Sequence, residues 1–229
     1  MSDEVLPLTN PRLTTPRAAA VAGILFSLLL SPAYALIRIA IPADPADGGA
    51  WLAERATMVA LALSLVPFAG IAFLWFIGVV RDRIGEHEDR FFSSVFFGSG
   101  LLYLAMIFVS AALAGGLLAS YAIIPDQLID SGLYTLSRTV MYRITNIYSV
   151  RMAGVFMMSL GTIWFRTLVA PRWLVFLTYG LALVLLLSIS FTLWIMFVFP
   201  GWVLVVSVYI LVWNLRRKDV GTMEILAQE

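Results

Sequence analysis

The chain has 229 residues, of which 61% are hydrophobic and only 13% charged, whereas soluble domains carry roughly 25% charged residues. A water-soluble fold could not cover that much apolar surface. The 15 basic and 14 acidic residues are dispersed, with a formal net charge of +1, which excludes the basic patch of a nucleic-acid binder. The absence of cysteine excludes disulfides, thiolate nucleophiles, iron–sulfur ligation and cysteine-type zinc sites.

Within hydrocarbon each backbone N–H and C=O must find its partner inside the segment or a closed barrel, so apolar runs of about 20 residues become helices. The expected fold is all-α, a polytopic membrane bundle of about six transmembrane helices forming one domain over 17–218. Residues Met1 to Pro16 are polar with three prolines and predict a disordered tail. The first span covers 17–41. Arg12 and Arg17 ahead of the apolar run Ala18 to Leu30, followed by Ala33, Tyr34 and Ala35, imitate a signal peptide. The run continues through Leu36, Ile37, Ile39 and Ile41, long enough to span, with Pro32 tolerated as a kink.

Asp44, Pro45, Asp47, Gly48, Gly49 and Glu54 make 43–56 an acidic, turn-rich loop. The second span is 57–80, with a kink expected at Pro67 and Gly70. The sequence RDRIGEHEDR at 81–90 is the most charged stretch and must lie outside the hydrocarbon. A third span over 91–123 is long enough to tilt or project. Pro125 and Asp126 open a polar segment that runs to Ser137, before a fourth span at 142–168. The stretch 173–213 is too long for one crossing at about 1.5 Å per residue against a core about 30 Å thick. It predicts a tight hairpin of spans 173–197 and 200–215, with Pro200 in the first turn of the sixth helix and a tail at 219–229.

Orientation follows from the Lys/Arg bias of short loops. With the N-terminus inside, Arg12, Arg17, Arg81, Arg83, Arg90, Arg166, Arg172, Arg216, Arg217 and Lys218 are cytoplasmic, and Arg38, Arg55, Arg138, Arg143 and Arg151 are not, 10 against 5 of the 15. The expected location is the plasma (inner) membrane, with both termini cytoplasmic. Trp51, Trp75, Phe91, Phe92, Trp164, Trp173 and Trp213 fall at span ends, as in an interfacial aromatic belt.

Ionisable residues inside spans are where function is first sought, and they are scarce. No Asp or Glu falls inside a predicted span, Lys218 is the only lysine, and His87 is the only histidine. Carboxylate-based proton coupling, aspartyl proteolysis, a retinal Schiff base and bis-histidine haem each lose their carrier. Ser188, Ser190 and Thr192 lack a base and suit back-bonding to their own helix. No P-loop, dinucleotide or HExxH motif occurs. The expectation is a non-enzymatic protein without a cofactor.

Two sets of residues remain. Arg143, Ile147, Val150, Arg151, Gly154, Met158 and Gly161 recur at intervals of three and four, which predicts one helical stripe with Asn146 beside it. Arg38 lies at comparable depth. Arg38, Arg143, Asn146 and Arg151 thus form a candidate site for a phosphate, carboxylate or lipid headgroup, since guanidinium presents a planar donor fork. The competing reading is that the arginines snorkel to headgroups or pair with Asp44, Asp126 or Asp130. The second set is the 81–90 loop, where Arg81, Arg83, Glu86, His87 and Arg90, flanked by Ile84, Phe91 and Phe92, offer ion pairs and an apolar anchor to a partner. Ser94 with Gly98, Ala111 with Gly115, and Ala112 with Gly116 predict close helix packing on the third span.

The stretches RAAAVAGIL from Arg17 and RDRIGEHEDRFF from Arg81 resemble those of small bacterial membrane proteins grouped as a domain of unknown function. That resemblance implies a six-span bundle and no activity. The first functional expectation is an accessory or interaction subunit of a larger membrane assembly. The alternative is a transport component or receptor that binds an anionic small molecule or headgroup through the arginines. Membrane lipids, other membrane subunits or a second copy are the expected partners. Whether the arginines share a cavity decides between the two expectations.

Overall fold

The structure is a computed structural model that describes residues 15–42, 48–84, 90–188 and 194–226; of 15–17, 82–84, 90 and 214–226 only the backbone course is described. All regular structure among the described residues is helical. Five stretches are long and apolar enough to cross a membrane: Ala18–Ala40, Ala56–Arg81, Phe91–Ile123, Leu133–Thr167 and Ile195–Trp213. The protein is an all-α polytopic membrane bundle.

The first three expected spans are helices α1 (Thr15–Ala40), α3 (Ala56–Ile84) and α4 (Arg90–Ile123). A short helix, α2 (Trp51–Glu54), precedes α3. The polar segment expected after α4 is helical. It forms α5 (Pro125–Asp130) and α6 (Leu133–Arg143), and α6 continues through a π-helical segment, Ile144–Ser149, into α7 (Val150–Thr167). The fourth crossing therefore starts nine residues earlier than expected, at Leu133 rather than 142. The fifth of the six expected spans is not among those five stretches, since α8 covers only Arg172–Leu187. A 3₁₀ turn at Ile195–Phe197 leads into α9 (Val198–Leu226), whose first turn holds Pro200 as the sequence predicts. Residues 1–14, 43–47, 85–89, 189–193 and 227–229 lie outside the described residues, while 219–226 of the expected C-terminal tail continue α9.

Contacts run in a ring: α9 packs on α1, α1 on α3, α3 on α4, α4 on α7, α7 on α8 and α8 back on α9. Aromatic rings fill the middle. Phe73 of α3 stacks on Phe26 of α1 at 4.7 Å and meets Tyr103 of α4, Phe156 of α7 and Phe199 of α9 at 5.6 Å each. One side chain thereby touches four other crossings, in the offset and edge-on geometries that aromatic quadrupoles favour.

A second, smaller core caps the end of the bundle at which α1 finishes, the Arg38 end. Trp51 and Leu52 of α2, Leu128 of α5 and Tyr134 of α6 pack against Ala40, Ile41, Val59, Ala114 and Leu117. Trp51 is 2% exposed, and its indole N–H donates to the Tyr134 hydroxyl at 2.9 Å. Trp51 is therefore a core residue rather than a member of the aromatic belt, and Trp164 is likewise buried, tilted against Trp202. Trp75, Phe91, Trp173 and Trp213 are exposed as the belt requires.

The close helix approaches also differ from expectation. Gly98 and Gly116 have open space beside them, whereas a methyl at Gly23 would lie 2.0 Å from Ser207 Oγ, and one at Gly70 would lie 2.3 Å from Phe108. Tight contacts thus fall at α3 on α4 and at α1 on α9, where Ser27 Oγ also donates to the Pro200 carbonyl at 2.8 Å. Ser207 Oγ is buried without a hydrogen-bond partner. Gly23→Ala should destabilise the protein by about 1–3 kcal/mol through overpacking, while Ser207→Ala should be neutral or stabilising because an unpaired buried hydroxyl is removed. The double variant should recover part of the loss, giving a coupling above about 0.5 kcal/mol in thermal unfolding of the purified protein in detergent.

Candidate anion-binding cavity

A cavity of about 480 Å³ opens at the Arg38 end, within the range of about 300–1,000 Å³ common for small-molecule sites. Its walls come from the last turns of α1, from α3 and α4, from α6 with the π segment, and from Met196. The polar side is built by α6. Thr135, Arg138, Thr139, Tyr142, Arg143 and Asn146 recur at three- and four-residue intervals, and all of them line the cavity. Leu133, Leu136 and Val140 are exposed at 47%, 61% and 37% on the remaining surface. This inverts the usual surface helix, which turns its apolar stripe inward. An inward polar face suits a helix with an apolar surround and a polar space beside it.

Three guanidiniums meet here. Arg138 is 8% exposed, and its Nη2 donates to the Pro42 carbonyl at 2.6 Å, tying α6 to the end of α1. Arg38 lies in the last turn of α1, where the carbonyl end of a helix favours a cation. Arg143 lies in the last turn of α6. Among the described residues no Asp or Glu lines the cavity. Among the described residues neither Arg38 nor Arg143 has a hydrogen-bond or ion-pair partner, so the pairing with Asp126 or Asp130 weighed from the sequence is not seen, and Asp44, the other partner weighed, lies outside the described residues. Guanidinium keeps its proton at any physiological pH, and the cavity holds three like charges with donor capacity left over.

The π segment shapes this wall. A π turn disturbs the regular i→i−4 ladder, and carbonyls in an apolar setting need other donors. Side chains supply them. Asn146 Nδ2 donates to the Tyr142 carbonyl at 3.0 Å, Ser149 Oγ to Thr145 at 2.6 Å, and Ser110 Oγ of α4 to Met141 at 3.3 Å. Ser110 also shares a hydrogen bond of 2.6 Å with the Thr145 hydroxyl. Arg151 Nη1 donates to the Ile147 carbonyl at 3.2 Å.

That segment also corrects the predicted stripe. A π turn inserts one residue, which rotates everything beyond it by about 100° relative to a regular helix. Arg143 and Asn146, at or before the insertion, face the cavity, but Arg151 does not line it. Gly154 and Gly161, further along the same predicted stripe, face α8, next to Leu186 and Thr178. The structure thus brings Arg38, Arg143 and Asn146 together and leaves Arg151 bonded to its own helix.

Thr135, Arg138, Thr139 and Tyr142 are missing from the expected site because the sequence reads a polar segment to Ser137 and begins the fourth span only at 142, with Arg138 entering solely as one of the non-cytoplasmic arginines. The usable signal was their three- and four-residue spacing, continuous with Arg143 and Asn146. At the opposite end, Arg81 lies over the Phe97 ring at 4.7 Å. Arg83 and Arg90 belong to the ends of α3 and α4, while Glu86 and His87 of the predicted docking loop lie outside the described residues. Ser190 and Thr192 do as well, and Ser188 Oγ donates to the Leu185 carbonyl at 3.4 Å. Among the described residues no group of three His, Asp or Glu side chains gathers as metal ligands.

No family model, curated protein or solved structure matches the chain. Function must therefore be argued from the cavity.

Because Arg138 holds a backbone carbonyl and Arg143 has no partner among the described residues, the two should separate on substitution. Arg138→Gln should cost about 1.5–3 kcal/mol, typical of a hydrogen bond from a charged group. Arg143→Gln should leave the unfolding temperature within error. Differential scanning fluorimetry of the two variants checks this.

Proposed function

We propose that this protein is a non-enzymatic receptor or transport component that binds an anionic group, a phosphate or carboxylate, in the cavity at the Arg38 end. The observation that carries this reading is the grouping of Arg38, Arg138 and Arg143 around one space with no carboxylate among the described residues of its walls. Three like charges brought together out of bulk water repel one another, and a bound oxyanion offsets that repulsion while accepting from the forks of the guanidiniums. Asn146 adds an amide, and Thr135 and Thr139 add hydroxyls. The interaction-subunit reading rests on the 81–90 loop, most of which lies outside the described residues, so the cavity reading ranks first.

Orientation belongs to the same proposal. Cytoplasmic termini in a plasma membrane place the cavity at the outer face, because the arginine-rich 81–90 stretch and Arg166 and Arg172 then lie inside. The chain has no native thiol, so single cysteines report cleanly. A cysteine at position 87 should label only from the cytoplasmic side and one at 132 only from the other; the reverse pattern would overturn the orientation.

The binding reading is tested by native mass spectrometry of protein purified in mild detergent. The wild type should carry an anionic adduct, and the Arg38→Gln/Arg143→Gln double variant should lose at least about tenfold of it, as expected when charge-assisted hydrogen bonds are removed. Arg151→Gln should retain the adduct. Equal retention in the double variant would defeat the reading, and a co-purifying chain with no adduct would return priority to the subunit reading.

A further inference from the structure

We infer that the ligand is an anionic amphiphile that lays one alkyl or acyl chain inside the cavity beside its charged head. This inference rests on the anion-binding reading above and adds the chemistry of the rest of the ligand. The cavity is two-sided. Beside the polar stripe of α6 the cavity is lined by Ile37 from α1, Leu63 and Val66 from α3, and Ile107, Ala111 and Ala114 from α4, with Tyr34 and Ser110 among them already hydrogen-bonded within the protein. None of the six apolar side chains can hydrogen-bond, so water held between this wall and the guanidiniums would be poorly partnered on one side.

A compact oxyanion satisfies only the arginines. It would fill a small part of about 480 Å³, given that one water takes about 30 Å³ of liquid volume, and would leave the apolar wall wet. A purely apolar guest has the opposite fault, since it leaves Arg38 and Arg143 without acceptors in a confined space. A molecule with an anionic head and a flexible chain satisfies both walls at once. The room along α4 exists because Ala111 and Ala114 are small: they sit in register with Ile107 at spacings of four and seven, one above another on the same face. A bulkier residue at either position would fill the space where a chain would lie.

The membrane setting favours the same class. Molecules of this kind reside in bilayers, and the polar wall of the cavity belongs to Leu133–Thr167, a stretch long and apolar enough to cross one. The inward polar face of α6 and its exposed Leu133, Leu136 and Val140 place the charged wall inside an apolar surround, the boundary that an amphiphile straddles.

The experiment uses the full chain in nanodiscs of zwitterionic lipid, with retention read by native mass spectrometry for three probes at equal concentration. Palmitoyl lysophosphatidic acid has head and chain, glycerol 3-phosphate has the head alone, and palmitoyl lysophosphatidylcholine has the chain with a zwitterionic head. The expected result is retention of lysophosphatidic acid at least about tenfold above the other two, with a comparable loss in Ala111→Phe, which fills the apolar side. Ala112→Phe, on the exposed side of α4, should retain the probe as the wild type does. If Ala111→Phe does not purify as a monodisperse species, Leu63→Trp on the facing helix repeats the test. Glycerol 3-phosphate retained as well as lysophosphatidic acid, or lysophosphatidic acid retention unchanged by filling the apolar side, would overturn the chain inference and leave the anion reading standing. Lysophosphatidylcholine retained equally, or no probe retained, would overturn both.

Discussion

A polar group in hydrocarbon has no water to fall back on, and most of this structure can be traced to that constraint. The hydroxyls inside the bundle return to their own helices: Ser99 to the Val95 carbonyl, Ser159 to Val155, Thr162 to Met158, and Thr178 to Leu174, all between 2.7 and 2.9 Å. Two of these then serve as acceptors for neighbours, Thr178 for the Trp202 indole at 2.9 Å and Thr162 for the Tyr179 hydroxyl at 3.0 Å. The same hydroxyls that satisfy themselves locally thereby tie α8 to α9 and to α7. Aromatic packing around Phe73 supplies contact area, but these few directional bonds fix how the helices are rotated against one another.

The constraint also explains why the cavity sits where it does. The π segment is affordable only because Ser110, Asn146, Ser149 and Arg151 deliver donors to its carbonyls. Once it is in place, the helix on one side of it presents arginines and threonines to the interior, while the helix on the other side presents glycines to α8. A single inserted residue separates a binding wall from a packing face within one continuous crossing. The small core of Trp51, Leu128 and Tyr134 then covers the top of that crossing, and the Arg138 bond to Pro42 fixes α6 against α1. The three guanidiniums converge through this scaffolding, although they are far apart in sequence.

Much of the fold could be read from the residues because apolar run length is a strong signal: α1, α3 and α4 begin and end within a few residues of expectation. The start of the fourth crossing was harder, since Thr135, Arg138 and Thr139 make it too polar for a lipid-facing helix, and only an interior cavity makes that polarity sensible. Arg38, Arg143 and Asn146 were identifiable as unusual charges or amides near a span. Arg151 was misplaced because periodicity arguments assume an unbroken 3.6-residue turn, and ITNIYS carries no mark that separates a π segment from ordinary helix. Trp51 was misread for a related reason: a tryptophan at a span end looks the same whether it meets headgroups or a cap of short helices.

The length of α8 has a consequence for the surrounding bilayer. Its 16 residues rise about 24 Å, about 6 Å less than a typical hydrocarbon core of about 30 Å. Among the described residues α8 is the apolar helix of the ring that falls short of a full crossing, while the 34-residue α4 exceeds one, so lipid bordering both would match either only by thinning or by helix tilt, at a cost of fractions of a kcal/mol per Å.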